Sequence, residues 1–299
     1  MLPSDQGIGL MKKLIACVAV AAIPFMGVSP AMAVDKPSVV IIDSGFDSNT
    51  IKPIKEVCIL TSNNCNNGLS FDDSVGASNT PTPLLPNWKS EWAHGLIMAD
   101  IVRQVNPNAN LIFIRNAIVT ARGGVNIGGS EEFKQSLQWV INNKIKYNIV
   151  AVSFSRGQQR YLKTSTACPV DKAVQSQIVT LQSLGTATVI AAGNDANKSY
   201  IDYPACIPEA VAISGIYSQN YTPKIWSSYR PTFGTNVSGL TDFFTYGNFN
   251  TVAGPVAEST SASTASFAGY WSKVSNGNYF ETYEKLSKST SNKFINVLN

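Results

Sequence analysis

Histidine is almost absent from this sequence: His94 is the only one in 299 residues. A single imidazole excludes metal sites built from several histidines and mechanisms that need two imidazole groups. Charged residues are also few, at 14% of the chain, and the 23 lysines and arginines form no basic block. Nucleic acid is therefore not expected as a partner. Hydrophobic residues make up 44% of the chain, enough for a substantial core, and we expect one globular domain over residues 34–299.

An apolar run near the N-terminus has the layout of a secretory signal peptide. Two lysines precede an apolar stretch from Leu14 to Val28, and a small-residue triplet typical of a cleavage site ends at Ala33. We predict a signal peptide over residues 1–33 and a protein that is secreted or periplasmic; the true start is alternatively Met11. A retained membrane anchor is disfavoured, because the stretch is shorter than the roughly 20 residues of a spanning helix and Pro24 interrupts it.

Cysteine is scarce, with five in the chain, and one of these leaves with the signal peptide. That residue, Cys17, lies in a segment resembling a lipoprotein cleavage box, but the box follows the lysines directly, so lipidation is disfavoured. The even number that remains in an exported protein favours disulfides, and four cysteines allow three pairings. We favour Cys58 with Cys65, closing a polar Asn-rich loop, and Cys168 with Cys206, joining loops near neighbouring strand ends. Free buried thiols are the alternative.

After the signal peptide, short β-branched segments alternate with segments that have helical spacing. This alternation predicts an α/β fold, a three-layer, doubly wound and mainly parallel sheet with helices on both faces. Residues 51–92 should be mostly loop around a minor strand or two, and residues 220–251 show no helical spacing. Strands are predicted at residues 38–42, 110–114, 148–154, 186–192 and 211–216, and helices after His94, after a plausible N-cap at Ser130, and over about 171–184.

Four polar residues stand where the predicted strands end or the predicted helices begin. Asp43 follows the first strand, His94 begins a helix, Asn194 follows a later strand, and Ser261 starts the C-terminal helix. Each has a structural reading when taken alone, as a turn residue, a structural histidine, a Gly-Asn turn or a Ser/Thr-rich N-cap. Because ligands of parallel sheets gather at the carboxyl ends of the strands, we expect the four side chains to meet there.

From about Val39 to Trp271 the chain resembles the subtilisin-like serine proteases, in which the catalytic residues occur in the order Asp, His, Ser. The resemblance covers most of the predicted mature chain and rests on motifs in the correct order. These motifs are Val40–Gly45, His94-Gly95, Ala191-Ala192-Gly193-Asn194, Tyr203-Pro204-Ala205, Thr260-Ser261-Ala262 and Ala268-Gly269.

The resemblance implies a subtilisin-like fold and the hydrolysis of peptide bonds. Ser261 would be the nucleophile, His94 the base that takes its proton, and Asp43 the carboxylate that orients the imidazole. Asn194 and the backbone N–H of Ser261 would stabilise the tetrahedral oxyanion.

The resemblance also implies residues that bind the substrate, an extended polypeptide. Ser153, Phe154 and Ser155 would form an edge strand that pairs with the peptide, and Ala191, Ala192 and Gly193 would line the primary side-chain pocket. Calcium often supports members of the family, but no compact carboxylate cluster in this sequence can be assigned as its ligands. We therefore assign no metal site and predict no cofactor, and structural calcium remains an open alternative. We expect a monomer that does not associate with membranes once the signal peptide is removed.

Several positions depart from the family pattern. Ser259 replaces the glycine usual before the Thr-Ser pair and would narrow the approach to the nucleophile. Ala265 replaces a proline, Leu96-Ile97 replaces a Thr-His pair, and Ser155 stands where glycine is common, which leaves the shape of the primary pocket open. Only Val34 to Ser38 separate the predicted cleavage site from the first strand, so we expect the chain to fold without an inhibitory pro-domain.

Two alternatives to a protease remain open from the sequence. An exported pseudoprotease would keep the fold and bind a peptide or protein without cutting it, although binding alone has no chemical need for all four polar residues. A serine esterase on another α/β fold is disfavoured, because its nucleophile normally lies in Gly-x-Ser-x-Gly and its histidine comes last, whereas His94 precedes Ser261 here.

Overall fold

The computed structural model describes residues 35–80, 93–119, 125–127, 129–157, 168–216, 234–256, 259–290 and 292–298. The predicted signal peptide, its cleavage site at Ala33 and the alternative start at Met11 lie outside these residues. Residues 81–92 of the segment predicted as mostly loop lie outside them as well, as do residues 217–233, which include the start of the segment without helical spacing.

An eight-stranded sheet forms the centre of the protein. Its strands lie in the order β10-β9-β8-β7-β1-β4-β2-β3, and every neighbouring pair is parallel except β2 with β3. Two short antiparallel hairpins, β5-β6 and β11-β12, lie outside this sheet. The strands are β1 Ser38–Asp43, β2 Lys55–Ile59, β3 Phe71–Asp72, β4 Asn110–Arg115, β5 Ala117–Val119, β6 Val125–Ile127, β7 Ile149–Phe154, β8 Ala187–Ala191, β9 Val211–Ile216, β10 Phe243–Tyr246, β11 Phe249–Thr251 and β12 Gly254–Val256.

Helices cover both faces of the sheet, which confirms the predicted three-layer arrangement. The alternation of side chains along β1 divides the core, because Val39 and Ile41 pack with α1, α4 and α5, whereas Val40 and Ile42 pack with α2 and α3. No helix of the described residues has the length and apolar character needed to cross a bilayer. The helices are α1 His94–Val105, α2 Ser130–Asn143, α3 Lys172–Ser183, α4 Thr260–Val274 and α5 Tyr279–Ser289.

The order of the strands reverses at β1, and this reversal fixes where a ligand would bind. The strands β4, β2 and β3 continue the sheet on one side of β1, and β7 to β10 continue it on the other. In open α/β sheets, ligands bind beyond the carboxyl ends of the strands at such a switch point. Asp43 ends β1, and Ser155 directly follows Phe154, which is paired with Ile42 of β1. The switch point therefore lies between Asp43 and Ser155.

Both predicted disulfides are present in the structure. Cys58 at the end of β2 is bonded to Cys65 in the following turn. Cys168 is bonded to Cys206, which links the segment before α3 to the turn that precedes β9. These pairings support the expectation of an oxidising compartment.

One predicted helix start differs by a residue from the structure. The N-cap of α2 is Gly129, whereas Ser130, the predicted cap, is the first helical residue. The side chain of Glu132 accepts a hydrogen bond from the Gly129 backbone N–H at 2.6 Å, and this reciprocal bond fixes the helix start one residue earlier. The start of α3 is as predicted, since Asp171 caps the backbone N–H groups of Ala173 and Val174.

Candidate active site

The carboxylate of Asp43 and the imidazole of His94 are hydrogen-bonded to each other. Asp43 Oδ1 lies 2.8 Å from His94 Nδ1, and it also accepts the backbone N–H of Ser44 at 2.7 Å. A carboxylate accepts hydrogen bonds, so it holds the proton on Nδ1 and leaves Nε2 as the basic nitrogen of the neutral ring. Nε2 has no hydrogen-bond partner among the described residues, and 32% of the His94 side chain is exposed. The ring thus carries a free basic nitrogen.

The surroundings of His94 favour its protonated form. Burial alone would lower the pKa of His94, but the negative charge of Asp43 and the hydrogen bond to it raise the pKa above the ordinary value of 6.5. The result is an imidazole that accepts a proton more readily than a free one. This is the property that a general base acting on a hydroxyl needs.

The packing of α1 against α4 brings His94 and Ser261 to the same level of the fold. The two helices run in the same direction, because Gly269 packs against Val102 and, one turn on, Asn106 donates to the hydroxyl of Ser272 at 2.9 Å. His94 lies eight residues before Val102 on α1, and Ser261 lies eight residues before Gly269 on α4, so both residues are the same number of turns from this contact. A Cβ atom at Gly269 would lie 3.0 Å from the carbonyl oxygen of Val102, so glycine permits this close approach.

The hydroxyl of Ser261 lies against the segment that follows β7. Ser261 Oγ donates to the carbonyl oxygen of Ser155 at 3.3 Å, and Ser155 Oγ donates to the carbonyl oxygen of Ser261 at 3.1 Å. Within the described residues, Ser261 Oγ makes no hydrogen bond to His94. The structure therefore joins Asp43 to His94 directly and joins Ser261 to Ser155, the residue that follows β7 at the switch point. Hydrogen bonds of catalytic groups often form fully only when substrate is bound.

The side chain of Asn194 is oriented by Thr260. Asn194 Oδ1 accepts two hydrogen bonds, one from the Thr260 backbone N–H at 3.0 Å and one from Thr260 Oγ1 at 2.9 Å. Because both groups are donors, the carbonyl end of the carboxamide must face Thr260. Nδ2 then points away, and it donates to no group of the described residues. Asn194 thereby presents an N–H donor beside the first turn of α4.

The first turn of α4 leaves one backbone N–H unused. Of its first three N–H groups, that of Thr260 donates to Asn194 and that of Ala262 donates to Ser259 Oγ at 3.1 Å. The N–H of Ser261 has no partner in the described part of the chain. A free N–H at a helix N-terminus, beside the amide of Asn194, suits the stabilisation of negative charge.

Ser259, the most notable departure from the family pattern, is the N-cap of α4. Its φ of −154° is extended backbone that any residue adopts, and its hydroxyl is turned onto the N–H of Ala262. The side chain is therefore engaged by the helix backbone. Ala265, which stands where the family has proline, is buried in the interior of the same helix, where alanine is the more favourable residue.

The prediction that Ser153, Phe154 and Ser155 form an edge strand is wrong for its first two residues. Ser153 and Phe154 end a central strand whose neighbours β1 and β8 pair with it on both sides, and the two residues are 1% and 3% exposed. The Phe154 ring stacks on Phe133 of α2. Only Ser155 lies beyond the paired region. The proposed contact of this segment with substrate remains a prediction.

The segment predicted to line the primary pocket follows β8. Ala191 ends the strand and Ala192 comes next, both buried, and Gly193 then turns towards α4, where its N–H donates to Thr260 Oγ1 at 3.3 Å. One side chain that sequence reasoning missed projects into this region, that of Asp202. Its only signal in the sequence is that it directly precedes Tyr203-Pro204-Ala205.

No group of three or more His, Cys, Asp or Glu side chains in the described part of the chain is arranged to hold a metal ion. The expectation that the protein has no cofactor stays a prediction, and a structural calcium ion stays unassigned.

Comparison with known proteins defines the class of this molecule. The model of the subtilase family matches residues 35–290, and the chain therefore belongs to the subtilase family. As a member of that family, it is a serine endopeptidase that acts on polypeptides. No curated protein sequence matches the chain significantly.

Two solved structures have a similar fold. A protease from Pseudoalteromonas arctica PAMC 21717 superposes with a TM-score of 0.63 at 17% identity, covering 88% of this chain and 88% of that one. A cold-adapted subtilisin-like serine proteinase gives a TM-score of 0.58 at 21% identity, covering 86% of this chain and 84% of that one. Identities this low show the fold alone, and the predicted fold is confirmed.

Proposed function

We propose that this protein is a secreted serine endopeptidase in which Asp43, His94 and Ser261 form the catalytic triad. The observation that carries the proposal is the hydrogen bond of 2.8 Å between Asp43 Oδ1 and His94 Nδ1, at the end of β1. This bond fixes the tautomer of the only imidazole in the chain. His94 Nε2, which has no hydrogen-bond partner among the described residues, is then the base that would take the proton of the Ser261 hydroxyl.

The reaction has two halves that use the same groups. His94 Nε2 takes the proton of Ser261 Oγ while Oγ bonds to the carbonyl carbon of the scissile peptide, and the imidazolium then protonates the leaving amine nitrogen as the C–N bond breaks. Water enters, gives a proton to His94 and bonds to the acyl carbon, and His94 then passes that proton to Ser261 Oγ as the bond between Oγ and the acyl carbon breaks. Asp43 stays ionised throughout and stabilises the imidazolium.

The oxyanion formed in each half would be stabilised by Asn194 Nδ2 and the backbone N–H of Ser261. The proposal is supported by the two hydrogen bonds from Thr260 that turn Asn194 Oδ1 away from the site, leaving Nδ2 as a donor. Donors fixed before the reaction need no reorganisation when the charge develops. Removal of one such donor costs on the order of 10²- to 10³-fold in kcat.

Export is supported by two features. The N-terminal sequence has the layout of a signal peptide, and both disulfides need an oxidising compartment to persist. We propose that residues 1–33 are removed and that the remaining chain acts outside the cytoplasm.

Labelling with a fluorophosphonate probe tests the proposed nucleophile. The probe reacts with an activated serine, so we expect wild-type protein to be labelled on Ser261 and Ser261→Ala to remain unlabelled. Ser263→Ala is the matched control, because Ser263 lies on the same helix and its hydroxyl bonds to the backbone oxygens of Thr245 and Ser259. Folded wild-type protein without label would contradict the proposal and favour a pseudoprotease that binds peptides.

A further inference from the structure

The carboxyl group of Asp202 lies between the two segments that would hold a substrate side chain. A Cβ atom added at Gly157 would lie 2.4 Å from Asp202 Oδ2, and a Cβ atom added at Gly193 would lie 2.3 Å from the same oxygen. Any side chain at either position would collide with the carboxyl group. The two glycines thus face the same carboxyl group, which lies between them.

The two segments that border Asp202 both contact α4 close to the proposed nucleophile. One wall continues β7 and contacts α4 where Ser261 Oγ donates to the carbonyl oxygen of Ser155. The other wall continues β8 and contacts α4 where the N–H of Gly193 donates to Thr260 Oγ1. The strands β7 and β8 are neighbours in the sheet, so the two walls diverge from adjacent strand ends. A substrate side chain next to the scissile bond would enter between them.

One oxygen of Asp202 has no hydrogen-bond partner in the described part of the chain. Asp202 Oδ1 accepts a hydrogen bond from Asn236 Nδ2 at 3.2 Å, whereas Oδ2, the oxygen that faces the two glycines, accepts none from the described residues. The residue is only 3% exposed. A buried carboxylate needs hydrogen bonds or an opposite charge to compensate for lost hydration. The described residues supply a hydrogen bond to only one of the two carboxyl oxygens of Asp202.

The pKa of Asp202 is consistent with this missing partner. Burial is the main cause of its rise to about 7, and the negative charge of Asp195 adds to it, while the hydrogen bond from Asn236 opposes it. No basic side chain of the described residues contributes to this balance. A cation brought to Oδ2 from outside would therefore find an oxygen without a competing positive charge.

We propose that Asp202 is a specificity-determining residue that selects polypeptides with arginine or lysine directly before the scissile bond. This inference rests on the proposed function, because it assigns a substrate class to the same site. The ammonium or guanidinium group of the substrate donates to Oδ2 at the base of the pocket, and the apolar stem of its side chain lies between the walls. A hydrogen bond to a charged partner corresponds to roughly 10- to 100-fold in affinity, which sets the expected selectivity.

Peptide anilides that differ only in the residue before the anilide test the selectivity. Lysine is compared with norleucine, which has a similar stem without the charge, and with alanine and glutamate. We expect kcat/KM for lysine and arginine to exceed that for norleucine at least tenfold at pH 8, and Asp202→Asn to reduce that ratio at least tenfold. Asp195→Asn is the matched control, because Asp195 lies beside Asn236 and not between the glycines. In this variant, kcat/KM for lysine and arginine should still exceed that for norleucine at least tenfold.

Two outcomes would overturn the proposal. A wild-type preference for alanine over lysine would show that the Asp202 side chain fills the pocket and admits only small residues. Equal losses of the ratio in Asp202→Asn and Asp195→Asn would show a general effect of negative charge. Fluorophosphonate labelling of each variant reports separately whether the nucleophile is intact.

A binding measurement keeps the proposal testable without catalysis. The Ser261→Ala variant is titrated calorimetrically with two product-like peptides, one ending in arginine and one ending in citrulline, its neutral isostere. We expect the arginine peptide to bind at least tenfold more tightly, and the difference to disappear in the double variant with Asp202→Asn. Equal binding of both peptides to Ser261→Ala would overturn the proposal even if the protein proved to be a pseudoprotease.

Discussion

The hydroxyl of Ser261 donates to the carbonyl oxygen of Ser155, 3.3 Å away, and so the nucleophile of the free protein is held by the backbone that follows β7. A rotation of its side chain is needed before the proton can pass to His94. Ser155 also secures the backbone of Ser261 through its own hydroxyl. The free protein therefore has its base assembled on Asp43 and its nucleophile held nearby, a state in which each part can be tested separately.

The pH dependence of hydrolysis should report the titration of His94. Its pKa is raised above 6.5 by Asp43, so the neutral, basic form predominates only above that raised value. We expect kcat/KM for an uncharged peptide substrate to rise with pH through a single ionisation above 6.5 and to fall away in acid. Asp43→Asn should reduce kcat on the order of 10⁴-fold, since an amide no longer fixes the tautomer. A profile that stays flat from pH 8 to pH 5 would contradict the role of His94.

Thr260 should act on catalysis through Asn194. We expect Asn194→Ala to lower kcat by about 10²- to 10³-fold with little change in KM, as for other oxyanion donors. Thr260→Val removes one of the two hydrogen bonds that orient Asn194, so we expect a smaller loss of kcat, and Thr260→Ser should restore it. Steady-state kinetics on one substrate measure all three. A loss in Thr260→Val that persists in the Asn194→Ala background would argue against a positioning role.

Ser259 should contribute stability through its cap. We expect Ser259→Ala to lower the free energy of unfolding by about 1 kcal/mol, because the N–H of Ala262 loses its acceptor. Ser259→Gly should cost only a few tenths of a kcal/mol, since glycine is a tolerated N-cap. Urea unfolding followed by circular dichroism distinguishes the two. Equal stability of Ser259→Ala and wild type would show that the cap is unimportant.

The contact between α1 and α4 should be sensitive to the size of residue 269. In Gly269→Ala, the new methyl group would lie 3.0 Å from the Val102 carbonyl oxygen and 3.1 Å from Val105 Cβ, so the helices must separate slightly. We expect a loss of about 1–3 kcal/mol in stability. Because the same helices carry His94 and Ser261, kcat should fall as well. Stability and kcat are measured at 25 °C, well below unfolding, and an unchanged kcat would show that the helix pair does not set the distance between the two groups.

The stability of the protein should depend on the ionisation of Asp202. Its pKa is about 7 in the folded protein, against an ordinary value of 3.8, so the folded state retains a proton that the unfolded state has lost. The sign follows from linkage: the contribution of Asp202 to stability is largest below about pH 4 and falls as the pH rises through about 7. Asp202→Asn cannot ionise. Its free energy of unfolding relative to wild type should therefore increase between pH 5 and pH 8, as measured by urea titrations.

Much of the fold could be predicted from the sequence, because strands and helices have local periodicities. The β-branched runs and the helical spacing after His94 gave the alternating order, and Asp171 gave the correct start of α3. The start of α2 was predicted one residue late, since the capping bond from Gly129 to Glu132 depends on a side-chain conformation. The sheet positions of Ser153 and Phe154 could not be predicted, because pairing between distant strands leaves no local pattern.

The residues of the candidate site were selected from the sequence, whereas their arrangement needed the structure. The order of Asp43, His94, Asn194 and Ser261 singled out the four groups, and their catalytic roles stay a prediction. The Asp43–His94 contact follows from the end of β1 and the start of α1. The position of Asp202 was not predictable. It depends on Gly157 and Gly193 facing the same space, and these two residues are separated along the chain by a helix and a strand.

The disulfide between Cys168 and Cys206 affects more than stability. The backbone N–H of Cys206 donates to the carbonyl oxygen of Asp202 at 3.0 Å, and the N–H of Asp202 donates to Ala192 at 2.8 Å. The turn that carries the carboxyl group is therefore anchored at both ends. With the backbone of this turn held in place, exchange of residue 202 alone can change the substrate preference of the enzyme, without remodelling of a loop.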